Sequence, residues 1–361
     1  MLVHICCSVD SHFFLQKLQE AYPHERLIGF FYDPNIHPYS EYQLRLLDVK
    51  RSCDKLGIPL VEGDYNVEGW LDAVRGLEFE PEKGKRCQVC FDNRLEESAK
   101  KASELGEKTL TTTLLTSPKK SLAQLEKALL EIAQVHGLSI VAPDFRKGGG
   151  TQEQFALAKR DMLYHQDYCG CLFALKAQRD QQKRWLDELC SPLSQQILPS
   201  SIEERLALYQ RVIEAEAEQR SFRLVREKFL NYRLLYASIT CNEKVIPSYP
   251  LFYSTMKKER VKTGVDFIHE GVAYLKKEEI RLVSLSCFNT LAHTSYQTVK
   301  ELMKAPLSVH EEIAVRQKLI SSMSYSLTPL IVVDALSDGA YEIFLQTQTY
   351  SDIRENLVFI R

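Results

Sequence analysis

The stretch LVHICCSVD, Leu2–Asp10, places two adjacent thiols and a carboxylate directly after a short apolar run. Leu2, Val3 and Ile5 are typical of a buried strand, and the segment from Ser11 onward has the pattern of a helix start. A strand-to-helix turn opens the carboxyl edge of an α/β sheet, where such folds bind ligands. Neighbouring side chains on a strand point to opposite faces, so both thiols can face one ion only where the chain turns. The stretch therefore predicts a ligand site after the first strand.

Strand and helix patterns alternate from this stretch to about residue 190. After the first strand, further strands are predicted at Arg26–Tyr32, Ile58–Val61, Thr109–Leu115 and Leu138–Ala142. The amphipathic segments between them predict helices, and two more helices are predicted at Thr151–Tyr164 and Leu172–Leu189. This order predicts an α/β fold, a parallel five-stranded sheet with helices on both faces and right-handed crossovers.

A polar, proline-containing segment at Ser191–Ser201 predicts a linker between residues 1–190 and residues 202–361, and the pattern of helices and strands differs after it. The second region predicts a smaller α+β domain. It consists of a long helical stretch at Ile202–Leu234, antiparallel strands in VDFIHEGVAYL and EIRLVSL, a helix at Ser308–Ile320, and a closing strand pair in LIVVDAL and YEIFLQ.

Composition excludes few classes of protein. The 361 residues are 45% hydrophobic and carry a formal net charge of −2, which gives no global electrostatic case for nucleic-acid binding. No apolar run approaches the roughly 20 residues of a membrane span, and the N-terminus lacks the pattern of a signal peptide. We expect a cytoplasmic protein with no membrane contact.

The ten cysteines are distributed unevenly, with three close pairs before residue 172. Without a secretion signal they predict reduced thiols, some of them held by metal, although burial alone would also explain a cysteine. Six thiolates exceed the needs of one tetrahedral zinc or one cubane cluster, so two centres are expected. Asp10 is a candidate harder ligand for the second ion. The alternative is that Asp10 caps the following helix. The pairs are Cys6 with Cys7, Cys87 with Cys90, and Cys169 with Cys171.

Three segments are predicted to bring functional groups to the same edge of the sheet. Cys87 and Cys90 start a helix, whose dipole favours thiolates. Gly170 allows the thiols on either side of it to turn toward one centre. The loop DFRKGGG, Asp144–Gly150, combines charged side chains with glycines that permit close backbone approach, so it predicts either a phosphate contact or a solvated lid.

Six segments in chain order together resemble the QueH-type epoxyqueuosine reductases over about residues 1–190: ICCSVDS, FFYDPNIHPYSEYQLR, CQVCFDNRL, TTTLLTSPKK, DFRKGGG and QDYCGC. The resemblance implies a nucleotide-hydrolase-like, Rossmann-like fold that carries a [4Fe-4S] cluster beside a mononuclear iron. It also implies reduction of epoxyqueuosine at the wobble position of tRNA to queuosine. One departure is that the turn reads CCSVD, where the family more often has Ala-Pro between the thiols and the aspartate.

The resemblance also implies roles for individual residues. Cys6, Cys7, Cys87 and Cys90 would hold the cluster, and Asp10, Cys169 and Cys171 would hold the lone iron, although the sequence alone does not fix which thiol serves which centre. Candidate proton donors are His37, Tyr39 and Tyr168. Candidate substrate contacts are Lys119, Arg146, Lys147, Gly148 and Gly149.

Reduction of an epoxide is chemically consistent with the implied metal centres. Removal of an epoxide oxygen to leave an alkene consumes two electrons and two protons, and no GxGxxG signature of a nicotinamide or flavin site is present. We therefore expect the cluster to relay electrons from an external donor and the open iron to act as a Lewis acid. The expected partner is the tRNA anticodon loop that carries epoxyqueuosine.

Two other classes remain open. SVDS at Ser8–Ser11 is similar to part of the motif of an ATP-using PP-loop tRNA thiolase, but the phosphate-cradling glycine pair is missing. A non-catalytic, zinc-stabilised RNA-binding module would also accommodate the thiols.

Residues 202–361 are expected to extend the tRNA-binding surface, because basic residues there stand near aromatic ones, although the aromatics would equally suit a core. The first group lies in the predicted helical stretch, and comprises Arg220, Arg223, Arg226, Lys228 and Arg233 with Phe222, Phe229 and Tyr232. The second comprises Lys257, Lys258, Arg260 and Lys262.

Overall fold

The computed structural model describes residues 1–118, 120–190, 194, 196–320 and 326–360. The chain divides into two compact units. The first comprises Met1–Leu189, Arg205–Leu224 and Leu357–Arg361, and the second comprises Cys190–Glu204 and Val225–Asn356. The first unit therefore includes two segments from beyond the predicted linker. No helix in the described ranges is long and apolar enough to cross a membrane.

The elements up to residue 217 are five strands separated by one or two α-helices, followed by three more α-helices. They are β1 (Leu2–Ile5), α1 (Ser8–Ala21), β2 (Ile28–Phe31), α2 (Tyr39–Leu56), β3 (Leu60–Glu62), α3 (Val67–Ala73), α4 (Lys85–Glu104), β4 (Thr109–Thr112), α5 (Leu122–His136), β5 (Ser139–Ile140), α6 (Gly150–Arg160), α7 (Leu172–Gln182) and α8 (Ile202–Ala217).

The five strands form one parallel sheet in the order β3-β2-β1-β4-β5, which confirms the predicted fold class. α1 packs on α2, and α4 packs on α5. The strand order runs in one direction from β1 to β3 and in the other direction from β4 to β5. With right-handed crossovers, the two helix pairs therefore lie on opposite faces of the sheet.

β1 lies at the centre of this sheet and is covered on both faces. Leu2, Val3 and Ile5 are fully buried in the core of the unit, as expected for a central parallel strand. β1 pairs with β2 on one side and β4 on the other, so the connections that leave β1 and β4 run to opposite faces. The crevice between their carboxyl ends is the place where α/β sheets bind ligands.

The second sheet is mixed and has eight strands in the order β7-β6-β13-β9-β10-β11-β12-β8. The remaining elements are β6 (Phe222–Cys241), β7 (Lys244–Val245), β8 (Ser248–Pro250), β9 (Arg260–His269), β10 (Val272–Leu275), β11 (Arg281–Ser284), α9 (Leu285–Ala292), α10 (Val299–Lys304), α11 (Val309–Leu319), β12 (Leu330–Val333) and β13 (Ala340–Phe359). β9, β10 and β11 are antiparallel neighbours, as predicted, whereas β11 and β12 are parallel.

The predicted helix over Ile202–Leu234 is wrong in its second half. α8 ends at Ala217, Gln219 adopts a left-handed conformation with φ of 54°, and β6 begins at Phe222. β6 lies beside β13, which follows it by about a hundred residues in the chain. Because strand formation depends on such a partner, local periodicity did not reveal it.

Two smaller predictions also fail. The predicted helix over Leu172–Leu189 stops at Gln182, because Lys183 adopts a left-handed conformation with φ of 52°. The predicted closing strand pair does not form. β12 pairs with β11 and β8, whereas β13 pairs with β9. The predicted helix near Ser308 is confirmed as α11, and Ser308 and Glu311 cap it reciprocally.

Candidate metal centre and active site

The first group of possible metal ligands lies in the turn between β1 and α1. Cys7 is the residue before the helix and has extended backbone angles, so the chain turns there as predicted. One ligand atom from each of Cys6, Cys7 and Asp10 lies within 4.8 Å of the others. The hydrogen bond from Cys6 and burial together raise the pKa of Cys7 well above its usual value. Burial raises the pKa of Asp10 to about 6.

Asp10 is oriented by a second helix. Its Oδ1 accepts a hydrogen bond of 2.7 Å from Gln154 Nε2 in α6, and its carbonyl oxygen accepts one of 3.3 Å from Thr116 Oγ1. No side chain caps the N-terminus of α1. The alternative that Asp10 acts as a helix cap is therefore wrong, and its carboxylate faces the turn with the two thiols.

The second group consists of four thiols from two segments of the chain. They surround a small cavity of about 20 Å³ and are Cys87, Cys90, Cys169 and Cys171. α4 supplies the first two thiols from its first two turns, and the backbone N–H of Lys83 donates to Cys87 Sγ over 3.2 Å. Cys90 and Cys171 belong to one apolar cluster with Trp70 and Val74. This arrangement groups the thiols differently from the assignment that the resemblance implies.

The turn at Cys169–Cys171 is fixed by a glycine and an arginine. Gly170 has φ of 106°, and a Cβ atom there would lie 2.9 Å from Ile36 Cγ1 and 3.2 Å from Arg45 Nη1. Arg45 donates to the carbonyl oxygens of Tyr168 and Cys169 over 3.1 Å each, and its Nε binds Glu41 Oε1 at 2.7 Å. The predicted need for glycine between these thiols is thus confirmed.

Four buried cations face the thiols. One of them, Arg86, lines the small cavity and donates through Nη1 to the backbone carbonyl oxygens of Leu77, Glu78 and Glu80. Lys120 Nζ donates to Cys169 Sγ over 3.3 Å, and Arg94 forms a buried ion pair with Asp33. Burial raises the pKa of Cys169, but Lys120, Arg94 and Arg45 outweigh it, so that the pKa lies below its ordinary value. Cys169 is therefore predisposed to be a thiolate. In contrast, burial raises the pKa of Cys171 to about 11.

A larger cavity of about 150 Å³ opens beside both ligand groups. Cys6 and Asp10 from the first group line it, as does Cys169 from the second. The other lining residues are Val9, Arg45, Glu82, Arg94, Leu114, Ser117, Pro118, Lys120, Phe155, His165, Gln166, Asp167 and Tyr168. Both ligand groups thus reach one cavity at the carboxyl edge of the sheet.

The predicted proton donors occupy different positions. Tyr168 lines the cavity, and its hydroxyl donates to the carbonyl oxygen of His37 over 2.5 Å. The His37 ring lies beside Trp70, with Nδ1 3.0 Å from the carbonyl oxygen of Asn35. Tyr39 is exposed and packs against other tyrosines. His37 and Tyr39 do not line the cavity.

The predicted substrate contacts also differ from one another in position and exposure. Arg146 donates to the carbonyl oxygens of Ser117 and Lys120, so it holds the turn after β4. The side chain of Lys147 is 83% exposed. Gly148 and Gly149 both adopt left-handed conformations before α6. Lys119 lies outside the described residues.

Sequence reasoning missed four polar residues of this site: Arg45, Arg94, Lys120 and Gln154. Three lie inside the quoted segments FFYDPNIHPYSEYQLR, CQVCFDNRL and TTTLLTSPKK, so the resemblance pointed to their neighbourhood. The sequence did not distinguish Lys119 from Lys120. Gln154 gave a weaker signal, a polar residue on the buried face of a predicted helix.

Comparison with known proteins identifies the family. The family model of epoxyqueuosine reductase QueH matches residues 1–177. The epoxyqueuosine reductase QueH of Helicobacter pylori is 43% identical over 353 residues, which cover 92% of this chain and 94% of the relative. The chain belongs to the QueH epoxyqueuosine reductase family. A second QueH, from Histophilus somni, is 38% identical over 181 residues, which cover 49% of this chain and 72% of the relative.

The chain is therefore an epoxyqueuosine reductase, an oxidoreductase of queuosine biosynthesis that acts on tRNA. This confirms the predicted reaction, and QueH membership leaves the thiolase and zinc-module alternatives without support. Among solved structures, the U34-tRNA thiolase NcsA from Methanococcus maripaludis with its [4Fe-4S] cluster is similar at a TM-score of 0.31 with 16% identity. That match covers 59% of this chain and 72% of the thiolase chain.

Proposed function

We propose that this QueH reduces its substrate in the 150 Å³ cavity, between two metal centres held by the two ligand groups. The observation that carries the proposal is that Asp10 and Cys169, one from each group, line the same cavity. A substrate atom bound there is adjacent to both groups at once.

The donor sets fit two different centres. Four convergent thiols suit a [4Fe-4S] cluster, so Cys87, Cys90, Cys169 and Cys171 are proposed as its ligands. Two thiols and a carboxylate suit a single iron with open positions, so Cys6, Cys7 and Asp10 are proposed for it. When bound, the cluster supplies single electrons and the open iron supplies a Lewis acid for the epoxide oxygen.

The side chains that line the cavity or support it are proposed to orient the metal ligands and to protonate the substrate. Gln154 fixes the Asp10 carboxylate, and Arg45 fixes the backbone around Cys169. Tyr168 is the proposed proton donor, because it alone of His37, Tyr39 and Tyr168 lines the cavity. Burial and Glu41 raise the pKa of Tyr168 well above its usual value, so its hydroxyl keeps its proton at neutral pH.

The overall reaction balances with an external electron source. The epoxide takes up two electrons and two protons, both C–O bonds are broken, an alkene forms and the oxygen leaves as water. We propose a one-electron redox protein as the donor. None of the ten cysteines, which all lie in the described residues, forms a disulfide, and this supports a reducing, cytoplasmic location.

The proposed substrate segment is the anticodon loop of tRNA with epoxyqueuosine at the wobble position. An unstacked loop nucleotide can enter a cavity, as sequence-specific RNA recognition commonly requires. Lys147 is a proposed phosphate contact because its side chain is exposed at the carboxyl edge, where its Nζ lies 3.6 Å from Asp144 Oδ2. Arg146 is not free for that role, since its guanidinium is bound to backbone carbonyls.

The second unit is proposed to bind tRNA through an exposed patch, although part of its predicted support is lost. Phe222, Tyr232 and Arg233 are buried, so two of the three aromatic residues of the first predicted group are not available for base stacking, although its other four cations are exposed. The second group remains. The side chains of Arg260 and Lys262 are 67% and 76% exposed on β9, and both lie beside Glu342.

Aromatic side chains stand close to these cations. Phe344 pairs opposite Arg260 and contacts the exposed ring of Tyr236 at 5.1 Å between centroids. Further along β9, the exposed Phe267 stacks on Tyr274 at 4.4 Å. Cations and accessible rings together suit phosphate contact and base stacking. We name Arg260, Lys262, Tyr236, Phe344 and Phe267 the β9 patch.

Iron and sulphide analysis of anaerobically purified variants tests the thiol grouping. Cys171→Ala is expected to lose the cluster sulphide, whereas Cys6→Ala keeps about four sulphides per chain and loses only the second iron. Cys53→Ala removes a buried lone thiol and is the matched control, with full metal content expected.

The opposite outcome would restore the assignment implied by the resemblance: sulphide lost in Cys6→Ala and kept in Cys171→Ala. A colourless wild-type protein with zinc and no sulphide would remove the cluster from the proposal.

A further inference from the structure

Lys120 is a buried cation that lines both cavities of the site. It is 9% exposed, its Nζ lies 3.3 Å from Cys169 Sγ, and it stands 5.3 Å from the centre of the Phe91 ring. Its backbone is held on both sides. The N–H donates to Ser117 O over 3.2 Å, and the carbonyl oxygen accepts from Arg146 over 3.0 Å. The ammonium group is therefore fixed beside one thiol.

Two of the other buried cations that face the thiols are neutralised by carboxylates, since Arg45 pairs with Glu41 and Arg94 pairs with Asp33. The third, Arg86, donates to the backbone carbonyl oxygens of Leu77, Glu78 and Glu80. Lys120 has no carboxylate ion pair anywhere in the described part of the chain. An uncompensated buried charge strongly destabilises a fold.

The compensation for Lys120 comes from sulphur. Lys120 Nζ donates to Cys169 Sγ over 3.3 Å, and Cys87 and Cys90 line the same small cavity. These three thiols belong to the group proposed to hold the cluster. Of the four buried cations, Lys120 is the one that, among the described residues, has a hydrogen bond from its charged group to the sulphur of a proposed cluster ligand.

We propose that Lys120 raises the reduction potential of the cluster held by these thiols. Lys120 acts on the cluster indirectly, through its hydrogen bond to Cys169 Sγ. The inference rests on the proposed function, because it requires the cluster to be bound there. Four thiolates around an oxidised [4Fe-4S] core carry a net charge of roughly −2, and uptake of one electron makes it roughly −3. A cation hydrogen-bonded to a ligand sulphur stabilises the more negative state more strongly.

The experiment is an anaerobic redox titration of the loaded protein with dithionite, followed by electron paramagnetic resonance of the reduced cluster. Lys120→Met removes the charge but keeps the stem, Lys120→Gln keeps a donor without charge, and Lys120→Arg keeps the charge. Lys127→Met removes an exposed lysine and is the control. We expect the midpoint potential to be more negative in Lys120→Met and Lys120→Gln, and close to wild type in Lys120→Arg and Lys127→Met.

Each other outcome is decisive. Loss of the cluster in both neutral variants with retention in Lys120→Arg would support the role of the charge, and loss in all three would overturn it. A wild-type potential in Lys120→Met with lower turnover would make Lys120 a proton donor to substrate and overturn the inference. A wild-type protein without cluster iron and sulphide would instead mark failure of the proposed function, before any variant is compared.

Discussion

The same side chain behaves differently at different positions in this chain. Cys53 is buried in α2, and burial raises its pKa to about 12, so it is an inert core thiol. Cys169 is also enclosed, yet nearby cations hold its pKa below the ordinary value. The chemistry of each thiol therefore depends on neighbouring charge, which cysteine spacing indicates only indirectly.

Gln154 is the residue whose role is tested most directly. Gln154→Leu removes the donor to Asp10 Oδ1, so the carboxylate is no longer oriented toward the two thiols. Because a group that hydrogen-bonds to a metal ligand typically contributes 10- to 100-fold to metal affinity or activity, we expect about 10-fold lower turnover with weaker retention of the second iron. Sulphide content should not change. Single-turnover assays and iron counts on the same sample measure both effects.

Gln152→Leu is the matched control, because Gln152 is exposed on the same helix. Equal activity in the two variants would show that the Gln154 hydrogen bond does not matter for the reaction.

The elements that position the site were predictable because each depends on local pattern. The alternation of strands and helices specified the parallel sheet, and the order of its elements specified which loops meet at one edge. Three close cysteine pairs then indicated metal. The grouping of those pairs was not predictable, since it depends on how α4 and the 169–171 turn pack against each other. β6 was missed for the same reason, because its partner β13 is distant in the chain.

The 169–171 turn gives a prediction for a single element. Gly170→Ala is expected to displace Cys169 and Cys171, because the added Cβ would lie 2.9 Å from Ile36 Cγ1. Gly76→Ala is the matched control, since Gly76 also has positive φ but has no atom within 4 Å of such a Cβ. Both variants place alanine at a positive φ and therefore share that backbone strain. The steric overlap at Gly170 should lower the free energy of unfolding by a further amount of about 1–3 kcal/mol.

Thermal unfolding midpoints and sulphide content of the two glycine variants measure the difference. A Gly170→Ala protein with the midpoint and sulphide of Gly76→Ala would contradict the steric account of this turn.

The whole chain combines a reductase unit with a second unit that only some relatives match. The Helicobacter pylori relative aligns with 92% of the chain, whereas the Histophilus somni relative aligns with 49%. The proposed ligands and cavity residues all belong to the first unit. The second unit is therefore expected to affect binding of tRNA rather than the chemical step.

Salt dependence tests this expectation for the β9 patch. The double variant Arg260→Gln/Lys262→Gln should bind tRNA more weakly, and the slope of log affinity against log salt should become shallower by about 1–2, because two phosphate contacts are lost. Turnover at saturating tRNA should be unchanged. Lys300→Gln/Lys304→Gln, which removes two exposed lysines from α10, is the control. Identical salt slopes for the two double variants would make the β9 patch irrelevant to tRNA.

The hydrogen bonds from Arg45 to Tyr168 and Cys169 span more than 120 positions of the chain. During synthesis, the turn that begins with Cys6 leaves the ribosome long before Cys171 does, so neither the cavity nor the four-thiol group exists on a partly made chain. On the proposed ligand assignment, the cluster would therefore be inserted only after about the first half of the protein has been translated, when all four of its thiols can meet.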